Sequence, residues 1–201
     1  MGCCMIWEED LTTDIRFHDE RDDRDWPFEI VYFPAEEFSK CNREMLAKTI
    51  STSHKTILEI GVARNAEKSS TVVFIDNKCP DATYLGVDIE DKSHLNDSSK
   101  HIYTMRIDSS QVELVMERLE SITGKRSIDF LFIDGLHSIN QVLLEWEYTK
   151  YLADGGVVGF HDTNKHPGPS RFVNALDRTK WDVSQYCNEC DNGIAFVRRH
   201  T

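Results

Sequence analysis

Five carboxylates recur at matching places along the chain. Apolar runs at 56–60 (TILEI), 84–89 (YLGVDI), 102–107 (IYTMRI), 128–133 (IDFLFI) and 157–160 (VVGF) carry or are closed by Glu59, Asp88, Asp108, Asp134 and Asp162. One such residue is ordinary N-cap or turn chemistry. Five at the same end of successive runs call for another reason. In an open sheet of parallel strands they would rim a single crevice beyond the strands' carboxyl ends, where such sheets bind ligands. A row of carboxylates repels a pyrophosphate, and the first loop, Glu59-Ile-Gly-Val-Ala-Arg-Asn-Ala66, lacks the G-x-G-x-x-G pattern that would hold one. A cationic ligand bearing ribose hydroxyls and an amine fits better, and a divalent metal also suits hard oxygen donors.

Histidines accompany the last two carboxylates. His137 lies two residues past Gly135 at the expected mouth of the crevice. Either it takes a proton from an acceptor hydroxyl at neutral pH, or it hydrogen-bonds the helix that follows. His161 directly precedes Asp162, and an imidazole there favours manganese, iron or zinc over magnesium. The loop 163–169 (TNKHPGP) is stiffened by two prolines; His166 in it is either an acceptor contact or part of a plain connection. Cys187 and Cys190 form a lone C-x-x-C pair before a terminal strand, which does not support zinc or redox chemistry.

The elements that must position these groups can be read from periodicity. Ser110 and Glu113 are spaced as a capping box before Val112, Val115, Met116, Leu119 and Ile122, with Gly124 as a stop. Ser138 and Gln141 form a second box before Val142, Leu143 and Trp146, and Gly155-Gly156 is expected to end that element. The stretch 90–100 is too short and polar for a helix. Pro34 is expected to open a helix with Phe38, Cys41, Met45, Leu46 and Ile50 on its packed face. Helices between most of the runs imply parallel βαβ units, and near-continuous apolarity implies that both sheet faces are covered. Runs at 181–186 and 194–198 leave no room for a helix and should pair as an antiparallel hairpin. Trp146 and Trp181 belong to the core. The expected fold class is α/β, a doubly wound sheet of about seven strands, mostly parallel, with an antiparallel C-terminal hairpin strand.

Composition bounds the partners. The 201 residues carry a net charge of −12, and half of it comes from residues 8–25, with nine acidic and three basic side chains. The expected organisation is an acidic arm over 1–33, solvated or partner-binding, and one domain over 34–201. So acidic a chain offers no duplex-binding face, and no apolar run approaches the roughly 18 residues that span a bilayer. Six irregularly spaced cysteines and the lack of a secretory apolar stretch point to a reducing, cytoplasmic setting.

The segments Leu58-Glu-Ile-Gly-Val62, Leu85-Gly-Val-Asp-Ile89, Phe132-Ile-Asp-Gly-Leu-His137 and Gly155-Gly-Val-Val-Gly-Phe-His-Asp-Thr163 resemble those of class I S-adenosylmethionine-dependent methyltransferases. They are most similar to the small branch with an Ile-Asp-Gly-x-His motif, akin to metal-dependent O-methyltransferases and cephalosporin hydroxylase-like proteins. The resemblance spans roughly 55–199. It implies a Rossmann-like fold and methyl transfer from S-adenosylmethionine to a small-molecule hydroxyl. It implies that Glu59, Gly61, Ala63, Asp88, Ile89, Asp108, Ser109 and Asp134 surround the cofactor, with Asp88 accepting from both ribose hydroxyls. It further implies that His137 and Asp134 serve catalysis, and that Asp134, His161 and Asp162 hold a divalent metal, magnesium or manganese, if one is used. The sequence departs from the pattern at Arg64 and Lys68, which bring positive charge near a cationic cofactor, and at Ile139 and Asn140. Two alternatives therefore stand beside the enzyme: a degenerate copy serving as a scaffold, and a metal-dependent hydrolase built on Asp134, His137, His161 and Asp162. The acceptor and the oligomeric state are not legible.

Overall fold

Continuous apolar runs become strands buried on both sides because helices cover both faces of the sheet. The computed structural model describes residues 39–62, 69–186 and 192–200. Its seven strands are β1 (Thr56–Ile60), β2 (Thr83–Asp88), β3 (Ile102–Arg106), β4 (Ile128–Ile133), β5 (Leu152–His161), β6 (Trp181–Tyr186) and β7 (Ile194–Arg199), hydrogen-bonded in the order β3-β2-β1-β4-β5-β7-β6. β1 to β5 run parallel, while β7 lies antiparallel to both β5 and β6. The expected α/β sheet and its antiparallel C-terminal pair are both present. The acidic arm, the 33/34 boundary, the run 26–33, Pro34, Phe38, Ala63, Arg64, Lys68, Cys187 and Cys190 lie outside the described residues.

Alternation along the strands sorts side chains between two cores. Ile57, Phe130, Phe132 and Val157 pack with Leu46 of α1 (Lys40–Thr49) and Phe74 of α2 (Ser70–Asn77). Leu58, Ile60, Leu131, Ile133 and Val158 face the other way, toward α3 (Val112–Thr123), α4 (Ile139–Trp146) and α5 (Pro167–Ala175). Trp146 anchors that second core, with ring centroids 5.0 Å from Phe172 and 4.9 Å from Trp181. Both tryptophans are core residues, as expected.

Three local expectations are corrected. The box at Ser110 does not form: Gln111 occupies the N-cap of α3 with no side-chain bond, because Asp108 already takes the Ser110 N–H on its carboxylate and the Gln111 N–H on its carbonyl. Gly155-Gly156 does not end a helix but forms a bulge inside β5, where the register with β4 jumps between Ile128↔Leu152 and Phe130↔Val157. Cys41 is exposed, since the packed face of α1 is set by Asn42 and Leu46. At Ser138 half of the box forms: its Oγ accepts from Gln141 N at 3.2 Å, but the Gln141 side chain turns elsewhere. The stretch 90–100 holds only two short 3-10 turns. Among the described residues no helix is long and apolar enough to cross a membrane.

Strand order reverses between β1 and β4, so the chain leaves those two strands on opposite sides and opens a crevice at their carboxyl ends.

Candidate functional site

Gly61 closes β1 at that reversal. Its φ is +83°, and a Cβ there would lie 2.0 Å from the Asp134 carbonyl oxygen, so only glycine lets the first loop pass so close to the end of β4. Gly61 N–H donates to Val87 O and Asp134 N–H to Ile60 O, which ties the loops after β1, β2 and β4 into one frame.

On the β2 side, Asp88 accepts from Val62 N–H on Oδ2 at 2.9 Å and from Glu90 N–H on Oδ1 at 2.8 Å. Each oxygen keeps a further lone pair. The next residue, Ile89, is 70% exposed, a large apolar side chain left at the rim. Asp108 is exposed and spends one oxygen on the turn into α3.

Two residues expected at the rim point elsewhere. Glu59 is fully buried, because its position in β1 faces α2. Its carboxylate accepts from Ser70 Oγ at 2.5 Å, Thr71 Oγ1 at 2.8 Å and the Tyr84 hydroxyl. Thus it braces the start of α2 from below and does not line the crevice. Burial pushes its carboxyl up to about 7 against the pull of those three donors. Ser109 turns its hydroxyl inward to donate to Glu145 Oε1 at 2.7 Å and accepts there from Gln141 Nε2 at 2.9 Å. Glu145 is wholly buried beneath Gly135, and burial raises it also to about 7.

A folded-state carboxyl titrating near 7, against an unfolded one near 4.5, holds its proton through a window in which the unfolded chain has lost its own. Stability should therefore fall as pH rises from 4.5 to 7. The slope is at most about 1.4 kcal/mol per pH unit for each such carboxyl. In Glu59→Gln the melting temperature should change less with pH across that window than in the wild type. Parallel curves for the two proteins would show that Glu59 is ionised in the fold.

The remaining groups gather on the β4–β5 side. Asp134 follows β4, His137 lies in the turn before α4, and His161 ends β5. Asp162 follows with φ +60°, an unusual backbone for a residue bearing a Cβ, and is 4% exposed. His161 Nδ1 lies 3.1 Å from Asp134 Oδ1, and its Nε2 meets Asn42 Nδ2 of α1 at 3.3 Å. His137 Nε2 lies 2.5 Å from Asp162 Oδ2, and its ring stacks on His166 at 4.1 Å between centroids. Burial lowers the affinity of His137 for a proton, but Asp134 and Asp162 outweigh it and lift the imidazole to about 10. Burial likewise opposes ionisation of Asp162, yet the histidines around it bring the carboxyl down to about 2. The two carboxylates therefore favour the protonated form of the His137 imidazole. The first turn of α5 supports this wall: a Cβ at Gly168 would lie 2.2 Å from His137 O.

The structure thus brings Asp134, His137, His161 and Asp162 together and adds His166, while Gly61 lies against the Asp134 backbone and Asp88 holds the Val62 N–H of the adjoining loop. Sequence reasoning missed Asn42 and Glu145. The N-cap serine before Asn42 marks where α1 begins, but nothing local ties Asn42 to a histidine 119 positions away.

The donor chemistry fits a divalent cation, since Asp134, His161 and Asp162 bring ligand atoms within 4.8 Å of one another, and Asp162 Oδ1 is buried without a hydrogen-bond partner among the described residues. The free lone pairs of Asp88 beside an apolar Ile89 likewise fit a ribose next to a flat base.

No curated protein shows significant similarity to the sequence. Among solved structures, an O-methyltransferase from Bacillus cereus in complex with SAH superposes with a TM-score of 0.59 at 16% identity, over 83% of this chain and 84% of that one. The O-methyltransferase TomG from Streptomyces achromogenes, in complex with SAM, matches equally, with 0.59 and 16% over 84% of each chain. MycE, a methyltransferase of mycinamycin biosynthesis in complex with Mg, SAH and mycinamycin VI, gives 0.55 at 16% over 81% of this chain. The chain spans about half the length of MycE, 49%. At such identities the likeness is one of fold. Residues 55–163, more than half of the chain, match a family described as a methyltransferase domain. Because that match runs from the start of β1 through the turn that follows β5, and so takes in both walls of the crevice, the chain belongs to this methyltransferase family.

Proposed function

We propose that the protein transfers the methyl group of S-adenosylmethionine to a hydroxyl of a small molecule with an apolar body. The observation that supports this is the close approach of Gly61 to Asp134, which joins the loop held by Asp88 to the strand end that carries the carboxylate–imidazole cluster. Asp88 would accept from the ribose hydroxyls, Ile89 would lie against the adenine, and the backbone around Ser109 would meet its edge, its hydroxyl being held by Glu145. Complexes of the fold neighbours with SAH or SAM support that cofactor.

The sulfonium carbon is electrophilic from the start, so the protein's work is to align donor and acceptor and to exclude water. Asp134 and Asp162, with His161 beside them, are the residues that would hold a divalent cation. When bound, the cation supplies Lewis acidity toward the acceptor hydroxyl. Leu136, 69% exposed beside this cluster, offers an apolar contact for the acceptor's body, and His166 stands at the same edge. The complex of MycE with mycinamycin VI supports a small-molecule acceptor. The free thiols of Cys41 and Cys79 suit the reducing cytoplasm read from the sequence.

Calorimetric titration with S-adenosylmethionine tests the cofactor directly. Asp88→Ala should weaken binding by about 1–3 kcal/mol, roughly 5- to 150-fold, because it removes the ribose acceptor and also releases the Val62 N–H that shapes the first loop. Equal affinity in the two proteins would take Asp88 out of the site, and no heat or thermal shift at millimolar cofactor would overturn the function.

A further inference from the structure

Ser109 sits in the turn after β3, and β3 ends the sheet, paired only with β2 among the described strands. Asp108 shapes that turn locally, taking the Ser110 N–H on Oδ1 and the Gln111 N–H on its carbonyl. The ties to the body of the domain come from α4 and the 3-10 turn Glu147–Tyr151 that continues it. Ser109 Oγ donates to Glu145 Oε1 at 2.7 Å. Gln141 Nε2 donates to both partners, at 2.9 Å to Ser109 Oγ and at 3.0 Å to Glu145 Oε1. The Tyr148 hydroxyl donates to Ser109 O at 2.7 Å. Side chain and carbonyl of one turn residue are thus both held from 32 to 39 positions further along the chain.

Glu145 is an expensive way to pack a helix. It has no exposed surface, and a carboxyl group is costly to bury unless donors hold it. An apolar residue there, like its core neighbours Val142 and Trp146, would avoid that cost. Two donors converge on Oε1, while Oε2 is buried with no hydrogen-bond partner among the described residues. The oxygen in use is the one that meets Ser109. The same Oε1 would lie 2.7 Å from a Cβ at Gly135, so the carboxyl group also packs against the loop after β4. Glu145 therefore joins the turn after β3 to the loop that begins with Asp134.

We propose that Glu145, with Gln141 and Tyr148, is a positioning residue for the cofactor's base: through Ser109 it holds the turn 108–110 where that turn selects adenine over other purines. This rests on the S-adenosylmethionine reading above and adds a base specificity to it, supplied by a residue that does not itself reach the ligand. Adenine presents an amine donor beside a ring-nitrogen acceptor, whereas hypoxanthine presents a carbonyl beside an N–H, so donor and acceptor are exchanged. The exposed Asp108 carboxylate suits the amine and repels the carbonyl. Such a match discriminates only while the turn stays in register with the base, since a mispaired polar group loses its hydrogen bond and its hydration together.

The test is calorimetric titration of the full chain with S-adenosylhomocysteine and with its hypoxanthine counterpart, S-inosylhomocysteine. The readout is the ratio of the two dissociation constants, which a smaller folded fraction does not change. The wild type should prefer the adenine compound by about tenfold or more. Glu145→Leu, which keeps the bulk and removes the acceptor, should narrow that preference by at least about threefold. Glu145→Gln should retain it, because an amide oxygen can replace Oε1 and Oε2 has no hydrogen bond among the described residues to lose. Tyr148→Phe removes a single hydroxyl and should narrow the ratio as well, and it carries the test if Glu145→Leu fails to fold. A wild-type preference below about threefold, an unchanged ratio in folded Glu145→Leu, or a Glu145→Gln protein that behaves like Glu145→Leu would each overturn the proposal. Wild-type protein that binds neither compound sinks the methyltransferase activity as well, whereas adenine-selective binding that survives Glu145→Leu sinks the positioning role alone.

Discussion

Asp134→Asn should slow methyl transfer by on the order of 10²- to 10⁴-fold while leaving the fold and the cofactor affinity nearly unchanged. The substitution preserves shape and removes one negative charge at the point where two imidazoles depend on it. His161 Nδ1 sits 3.1 Å from Asp134 Oδ1 and His137 Nε2 3.9 Å from the same atom, so losing this oxygen's charge disturbs both imidazoles. An amide oxygen is also a weaker ligand for a divalent cation than a carboxylate. Asp88 and Gly61 are untouched, so the dissociation constant for S-adenosylmethionine should stay within about threefold, as expected of a group that acts on the reacting centre and not on cofactor binding. Steady-state rates with any accepted hydroxyl substrate, together with calorimetry, check both halves. Turnover within fivefold of wild type would remove Asp134 from the chemistry.

Gly61→Ala should damage stability and binding together. At φ +83° an alanine costs about 1–2 kcal/mol in backbone strain alone. Its methyl carbon would also stand 2.0 Å from Asp134 O, where two non-bonded atoms cannot coexist, so the ends of β1 and β4 must part. Forced repacking of a dense interior typically adds 1–3 kcal/mol, giving a loss of about 2–5 kcal/mol in urea unfolding. The variant should also lose most cofactor affinity, because the loop bearing Val62 N–H and the backbone of Asp134 shift in opposite directions. A melting temperature and cofactor affinity equal to wild type would show that the two loops do not meet as described.

The sheet was legible because its strands are buried on both sides, which leaves near-continuous apolar runs, such as 130–133 in β4, that no amphipathic helix would show. The cluster of Asp134, His137, His161 and Asp162 was legible because parallel strands deliver their carboxyl ends to one edge. What alternation hides was not. Glu59 looks like its fellow carboxylates in sequence, yet its place in β1 turns it toward α2, where Ser70 and Thr71 bring the hydroxyls that hold it. That Ser-Thr pair at the start of α2 was the available signal. At α3, a serine three residues before a glutamate has the spacing of a capping box, but Asp108 takes the Ser110 N–H that the glutamate would have to accept, and the helix starts one residue later, with Gln111 at its N-cap. Asn42 could not be found from spacing at all, since its contact with His161 exists only once α1 has packed on the sheet.

The missing side chain at Gly168 restricts how this protein can be re-targeted. With Gly168 pressed on the backbone of His137 and Ser138, the turn before α4 and the first turn of α5 interlock as a mortise and tenon. A graft that exchanges the whole 163–169 loop for a foreign one would pry that joint open and carry His137 with it. Diversification for new acceptors is therefore best confined to the exposed Asn164 and Lys165, with position 168 held fixed as the joinery on which the reactive wall is hung.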